Sequence, residues 1–151
     1  MAKRVRDGIT TSQLLTVIRG ASSFQEAVAY HETAPEPRFH ETLYELMEKK
    51  GLSTREMIRR TGVERSYFYH VLNGEKKPGR NMVLRICFCL ELPLQEFNRM
   101  LRLAGTSELY SRRRRDAALI YAVTRQYSME QANDLLNRAG EEPLYFEEKH
   151  E

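Results

Sequence analysis

The sequence has no tryptophan, only two cysteines, and few glycines and prolines (8 and 5 of 151 residues). Two cysteines cannot staple a small secreted scaffold. Sparse glycine and proline, beside 30% charged and 41% hydrophobic residues, exclude a low-complexity or collagen-like chain. No apolar run reaches the roughly eighteen residues of a membrane-spanning helix, so no membrane association is expected. The basic start, Met1 to Arg6, is not followed by an apolar run with a small-residue cleavage site. Arg19 interrupts the nearest candidate, so no secretory leader is expected. A soluble, cytoplasmic, helix-rich protein is the expectation, and its length allows a real core without covalent staples.

Cys87 and Cys89 lie two apart inside the apolar run Val83–Leu92. Residues at that spacing on a helix point in different directions, so neither a disulfide nor a metal pair forms with ease. Buried, reduced thiols are the better reading. His31, His40 and His150 show no metal-ligand spacing. There is no glycine-rich phosphate loop, no CxxC, and no arrangement that assembles a catalytic triad. The chain therefore reads as a non-enzyme, with no cofactor and no metal.

The dominant pattern is helical periodicity. Thr10–Glu32 carries Val17, Ala21, Phe24 and Val28 at the spacing of one helix face, interrupted by Gly20 and Ser22–Ser23. Residues 1–9 are polar, and Ala34–Pro37 reads as a linker or turn. A helix is expected over Arg38–Lys50, with Phe39, Leu43, Leu46 and Met47 on one face and Gly51 as its stop. Ser53-Thr54-Arg55-Glu56 is a capping box opening a short helix that Thr61-Gly62 breaks. Further helices are expected over Glu64–Leu72, Arg80–Glu91, Leu94–Ala104, Ser111–Tyr127 and Ser128–Ala139. The helix from Arg80 is apolar nearly all round and so belongs in the core. No strand alternation stands out. The expected fold is all-α, divided as an N-terminal helical extension (1–37), a central domain (38–105) and a C-terminal helical extension (106–151).

Two further patterns stand out. Residues 41–105 hold 12 basic against 8 acidic side chains, whereas residues 106–151 hold 7 against 9. The basic excess is central, which suits a nucleic-acid face there. Leu101, Ala104, Gly105, Leu109 and Tyr110 are echoed by Leu136, Ala139, Gly140, Leu144 and Tyr145. The echo reads as two helix exits, each docking a Leu-Tyr pair, and not as a solenoid.

A short helix, a tight Thr61-Gly62 break and a second helix with polar residues at its start form a helix-turn-helix arrangement. Met57, Ile58, Val63, Phe68 and Val71 would lock its helices together. Gly62 would allow the bend. Arg65, Ser66, Tyr69 and His70 would project from the outer face. The run Gly51-Leu52-Ser53, Thr61-Gly62-Val63, Ser66 and Asn73-Gly74-Glu75-Lys76-Lys77-Pro78 resembles the Cro/repressor-type helix-turn-helix family, over about residues 39–105. The longer chain looks like a subgroup of that family with helical extensions. The resemblance implies a five-helix domain that binds double-stranded DNA in transcription regulation, its second motif helix (about 64–72) entering the major groove. It places Thr54 and Arg55 against phosphate or base, Arg65, Ser66, Tyr69 and His70 against bases, and Tyr67 against backbone. Asn73, Lys76, Lys77 and Arg80 would grip phosphates around the following turn.

The alternative is a protein-interaction adaptor that keeps the fold and has lost base reading. Thr54 is shorter than the family's common glutamine, Glu64 is a poor choice of helix cap that puts a negative charge toward the groove, and Tyr67 and Tyr69 are bulky. The C-terminal helices would then offer a docking surface for a protein partner. Homodimerisation would enlarge a DNA footprint by joining two half-sites, and nothing in the sequence demands it. Arg112–Arg115 reads either as a phosphate clamp or as the solvated first turn of a helix.

Overall fold

The computed structural model describes residues 11–29 and 36–146. The readings of residues 1–9 and of His31, Ala34, Pro35 and His150 lie outside them. The described chain is all helical, in two units divided after Pro37.

The first unit holds α1 (Thr11–Gly20) and α2 (Phe24–Val28), which pack on each other. The break expected at Gly20–Ser23 is present. Ser23 caps α2 by accepting the Glu26 amide at 3.1 Å, and the Glu26 carboxylate accepts the Ser22 hydroxyl at 2.7 Å. Two short helices bury little. Neither has a buried residue, and Phe24, expected to pack, is 75% exposed.

The second unit runs α3 (Phe39–Lys50), α4 (Thr54–Thr61), α5 (Arg65–Leu72), α6 (Arg80–Cys89), α7 (Leu94–Leu103), α8 (Arg114–Thr124) and α9 (Met129–Arg138). α6 is the central rod, with Val83, Leu84, Ile86, Cys87, Phe88 and Cys89 all buried. It packs on α4, α7 and α9, while α3 packs on α5 and α7. Phe88 and Phe97 meet edge to face at 4.9 Å between ring centres. Both cysteines are free and buried, as their place in the apolar run requires. Residues 38–105 do not separate from the C-terminal helices. α7 packs on α8 and α6 on α9, so the boundary expected after 105 is not a break in packing.

The helix expected from Ser111 starts later, at Arg114. The cause is Asp116, a buried carboxylate that accepts the Tyr110 amide at 3.0 Å and holds residues 110–113 in a turn.

The echo extends much further than a Leu-Tyr pair. α6–α7 and α8–α9 are two copies of one hairpin, offset by a constant register. Glu91 and Gln126, the turn residues, both adopt the left-handed conformation (φ 55° and 58°). Gly105 and Gly140 close the second helices in the same conformation (φ 77° and 71°). Asn98 Oδ1 accepts the Leu109 amide at 2.9 Å, and Asn133 Oδ1 accepts that of Leu144 at 2.7 Å. Arg80 Nε donates to the Ser107 carbonyl at 3.1 Å, and Arg115 Nε to the Glu142 carbonyl at 2.8 Å. Each arginine therefore clasps the exit loop of its own hairpin. Each also grips the residue next in sequence to the other arginine. Arg80 forks onto Asp116 (3.0 and 2.9 Å), and Arg115 donates to Asn81 Oδ1 at 2.7 Å. The docking differs from expectation in one respect. Leu109 and Leu144 are buried and Tyr145 is partly so, but Tyr110 is 51% exposed.

Candidate nucleic-acid interface

The interface is built from α4, α5 and the turn after α5. Ser53 Oγ accepts the Glu56 amide at 3.1 Å and opens α4. The box is half made, because the Glu56 carboxylate turns to Arg59 and Arg60 (3.0 and 3.3 Å) and not back to the cap. α4 ends at Gly62, whose φ of 68° is the left-handed bend that a side chain resists. Thr61, fully buried, donates its hydroxyl to the Met57 carbonyl at 2.7 Å. The Arg85 guanidinium, on α6, donates to the Thr61 carbonyl, and a Cβ on Gly62 would lie 3.3 Å from it. The turn is thus pinned from beneath by the central rod. Arg85 also stacks over the Tyr145 ring at 5.3 Å, so the same side chain ties the turn to the last exit loop.

α5 begins at Glu64, where the expectation of a poor cap fails. Its two carboxylate oxygens accept the Ser66 and Tyr67 amides, each at 3.1 Å. Those backbone bonds hold the carboxyl below its ordinary range. A side chain one methylene longer than aspartate spans both donors at once. Its charge is directed at the helix N-terminus, where it is favoured.

One side of α5 is core: Phe68, Val71 and Leu72 are buried. The other side is open: Arg65, Ser66, Tyr69 and His70 are all exposed, and Tyr67 is half-buried. Arg65 lies over the Tyr69 ring at 5.6 Å. Together with Arg55 and Ile58 of α4, these two line a hollow of about 520 Å³ between the two helices. Thr54 is half-buried, next in sequence to Arg55. The His70 ring Nδ1 pairs with the Glu75 carboxylate.

After α5, Asn73, Lys76 and Lys77 are exposed. Gly74 (φ 79°) passes so close to His40 that a Cβ there would meet the ring at 2.6 Å. Lys76 lies over the Tyr67 ring at 5.7 Å. Arg80 does not join this surface. Its side chain is 20% exposed and its guanidinium is spent on Asp116, Ser107 and Glu108. It is a strut of the fold, and the turn's exposed cations are Lys76 and Lys77.

Three polar anchors escaped the sequence reading: Arg85, Asp116 and the Asn98/Asn133 pair. The last had a signal, since its members stand in the same register as the Leu-Tyr echo. Arg85 had none, because its partner is a backbone carbonyl.

Two helices joined at a left-handed glycine, the second with one buried and one open face, define a helix-turn-helix domain. Residues 39–100 match the family model of a helix-turn-helix domain, and they are of the Cro/repressor type. No curated protein and no solved structure matches the chain. No helix among the described residues is long and apolar enough to cross a membrane, and no metal-ligating cluster occurs among them.

Proposed function

We propose that the protein is a DNA-binding transcription regulator whose α5 enters the major groove. The observation that carries this is the open face of α5. Arg65, Ser66, Tyr69 and His70 stand exposed, with Arg55 beside them on α4 and Lys76 and Lys77 in the turn after α5. Arginine can bond two guanine acceptors in the major groove, and the hydroxyl of Ser66 can meet either type of base edge. Arg55, Asn73, Lys76 and Lys77 would position the duplex through phosphate, with Thr54 and Tyr67 at the backbone edge. The cap at Glu64 removes one argument for the adaptor alternative, because its charge is absorbed by the helix.

Arg65→Ala and Lys76→Ala test the division of labour. Arg65→Ala should cost about 1–3 kcal/mol and relax preference at one base position. Lys76→Ala should weaken all sequences alike and flatten the salt dependence by about one unit. Duplex titrations over a range of salt measure both. An unchanged base preference in Arg65→Ala contradicts its reading role.

A protein partner at the C-terminal helices has one observation in favour. Tyr121 and Tyr127 pair edge to face at 5.9 Å, with Arg125 over Tyr121 at 4.8 Å; Tyr121 and Arg125 are exposed and Tyr127 is half-buried. Arg125→Glu should abolish such an association without touching DNA binding.

A further inference from the structure

The second hairpin presents cations that the fold does not use. Of the four arginines at 112–115, two are committed. Arg114 donates to the Ala139 carbonyl at 2.8 Å and pairs with Glu141 at 3.2 Å. Arg115 is the clasp of the second hairpin. Arg112 and Arg113 are exposed, and among the described residues neither side chain donates a hydrogen bond or forms an ion pair. Neighbouring carboxylates do not quench them. Asp116 is buried and held by Arg80 and the Tyr110 amide, with Arg113 adding only a longer-range pull. Glu108 faces Arg102 at 3.8 Å.

The register of the two copies says where these cations lie. Arg80 reaches Asp116, and Arg115 reaches Asn81, so the starts of α6 and α8 are side by side. Lys77 stands three residues before Arg80, and Arg112 three residues before Arg115. Each therefore stands in the segment that leads into one of these two helix starts. A second contact supports the placement: Lys77 Nζ would lie 3.8 Å from a Cβ on Gly105, the glycine that opens the exit loop leading to Arg112. Arg80 fixes that loop at the Ser107 and Glu108 carbonyls. The lysines after α5 and the uncommitted arginines before α8 therefore lie on segments that the Arg80 clasp holds to one another.

We infer that Arg112 and Arg113 are a second phosphate-contact site, extending the duplex footprint from the helix-turn-helix onto the C-terminal hairpin. The inference rests on the DNA-binding reading. The C-terminal hairpin thereby acts as part of the DNA-binding surface.

The test uses the full chain and a fixed duplex, titrated from about 50 to about 200 mM salt, with the parent, Arg112→Ala/Arg113→Ala and Arg114→Ala. Neither side chain of the pair bonds to the fold, so the double variant should keep the parent's circular dichroism and melting temperature. Each lost phosphate contact flattens the logarithmic salt slope by about 0.9, so the double variant's affinity should fall about tenfold less than the parent's across that range. Its base preference should be unchanged, and Arg114→Ala should keep the parent's slope. An unchanged slope in the folded double variant shows that these arginines meet no phosphate, and overturns the inference. In that case Lys76→Ala still flattens the slope if the DNA-binding reading holds. A parent that binds no duplex removes that reading, and the inference with it.

Discussion

At position 64 a glutamate does what a shorter side chain ordinarily does at the start of a helix. Its two oxygens accept two successive amides, those of Ser66 and Tyr67. At position 80 the reverse occurs, and an arginine that looks like a phosphate ligand serves the interior. Both outcomes turn on reach, which residue type alone does not determine. The cysteines are a clearer case, since burial decides their chemistry. Burial holds the Cys87 thiol well above its ordinary range and pushes that of Cys89 up to about 11. The thiolate is the reactive species. At about pH 8, below the ordinary thiol range, neither should react with iodoacetamide in the folded protein, and both should react once urea unfolds it. Mass spectrometry of the alkylated protein reads the outcome, and modification of Cys87 without unfolding would contradict its burial.

The elements are largely legible in the sequence because their signals are local. Ser53, Gly51, Gly62 and Ser128 mark ends through bonds made within a few residues, and those ends fall where expected. The core face of α5 follows from helical spacing alone. What the sequence hid are contacts at long separation. The late start of α8 depends on Asp116 holding Tyr110 and meeting Arg80. The inward turn of Arg80 depends on that same carboxylate. The open face of the candidate interface was therefore legible, and the boundary of its basic edge was not. The hairpin copies also make a prediction at this scale. Asn133 is buried and accepts both the Leu144 and Tyr145 amides (2.7 and 3.3 Å), whereas Asn98 is half-buried and accepts one. Losing a partner from a buried donor costs about 1–3 kcal/mol. Asn133→Ala should lie at the upper end and Asn98→Ala at the lower, as measured by urea unfolding. Equal losses would contradict the docking role of the second exit loop.

For the molecule as a whole, the reciprocal clasp makes α3 to α9 one folding unit. The helix-turn-helix bend is held by Arg85, which also stacks on Tyr145 near the end of the described chain. Removing the second hairpin would take Met129 from Cys89 and Asp116 from Arg80. The clasp has a pH signature. Burial raises the carboxyl of Asp116, but the Arg80 guanidinium and the Tyr110 amide outweigh it, and the net position is below the ordinary 3.8. A depressed folded-state value contributes stability above the unfolded value, and that contribution is lost as pH falls through the folded one. The stability advantage of the parent over Asp116→Asn should therefore be full near about pH 5 and shrink toward about pH 2. A constant difference across that window would show that the clasp does not depend on ionised Asp116.

Selection of bound sequences from a random duplex library, at a fixed salt concentration and with the full chain, tests the base-reading role of α5. One enriched motif is expected, with preference at a single base position relaxed in Arg65→Ala. No enriched motif, together with binding that disappears near physiological salt, would contradict that role.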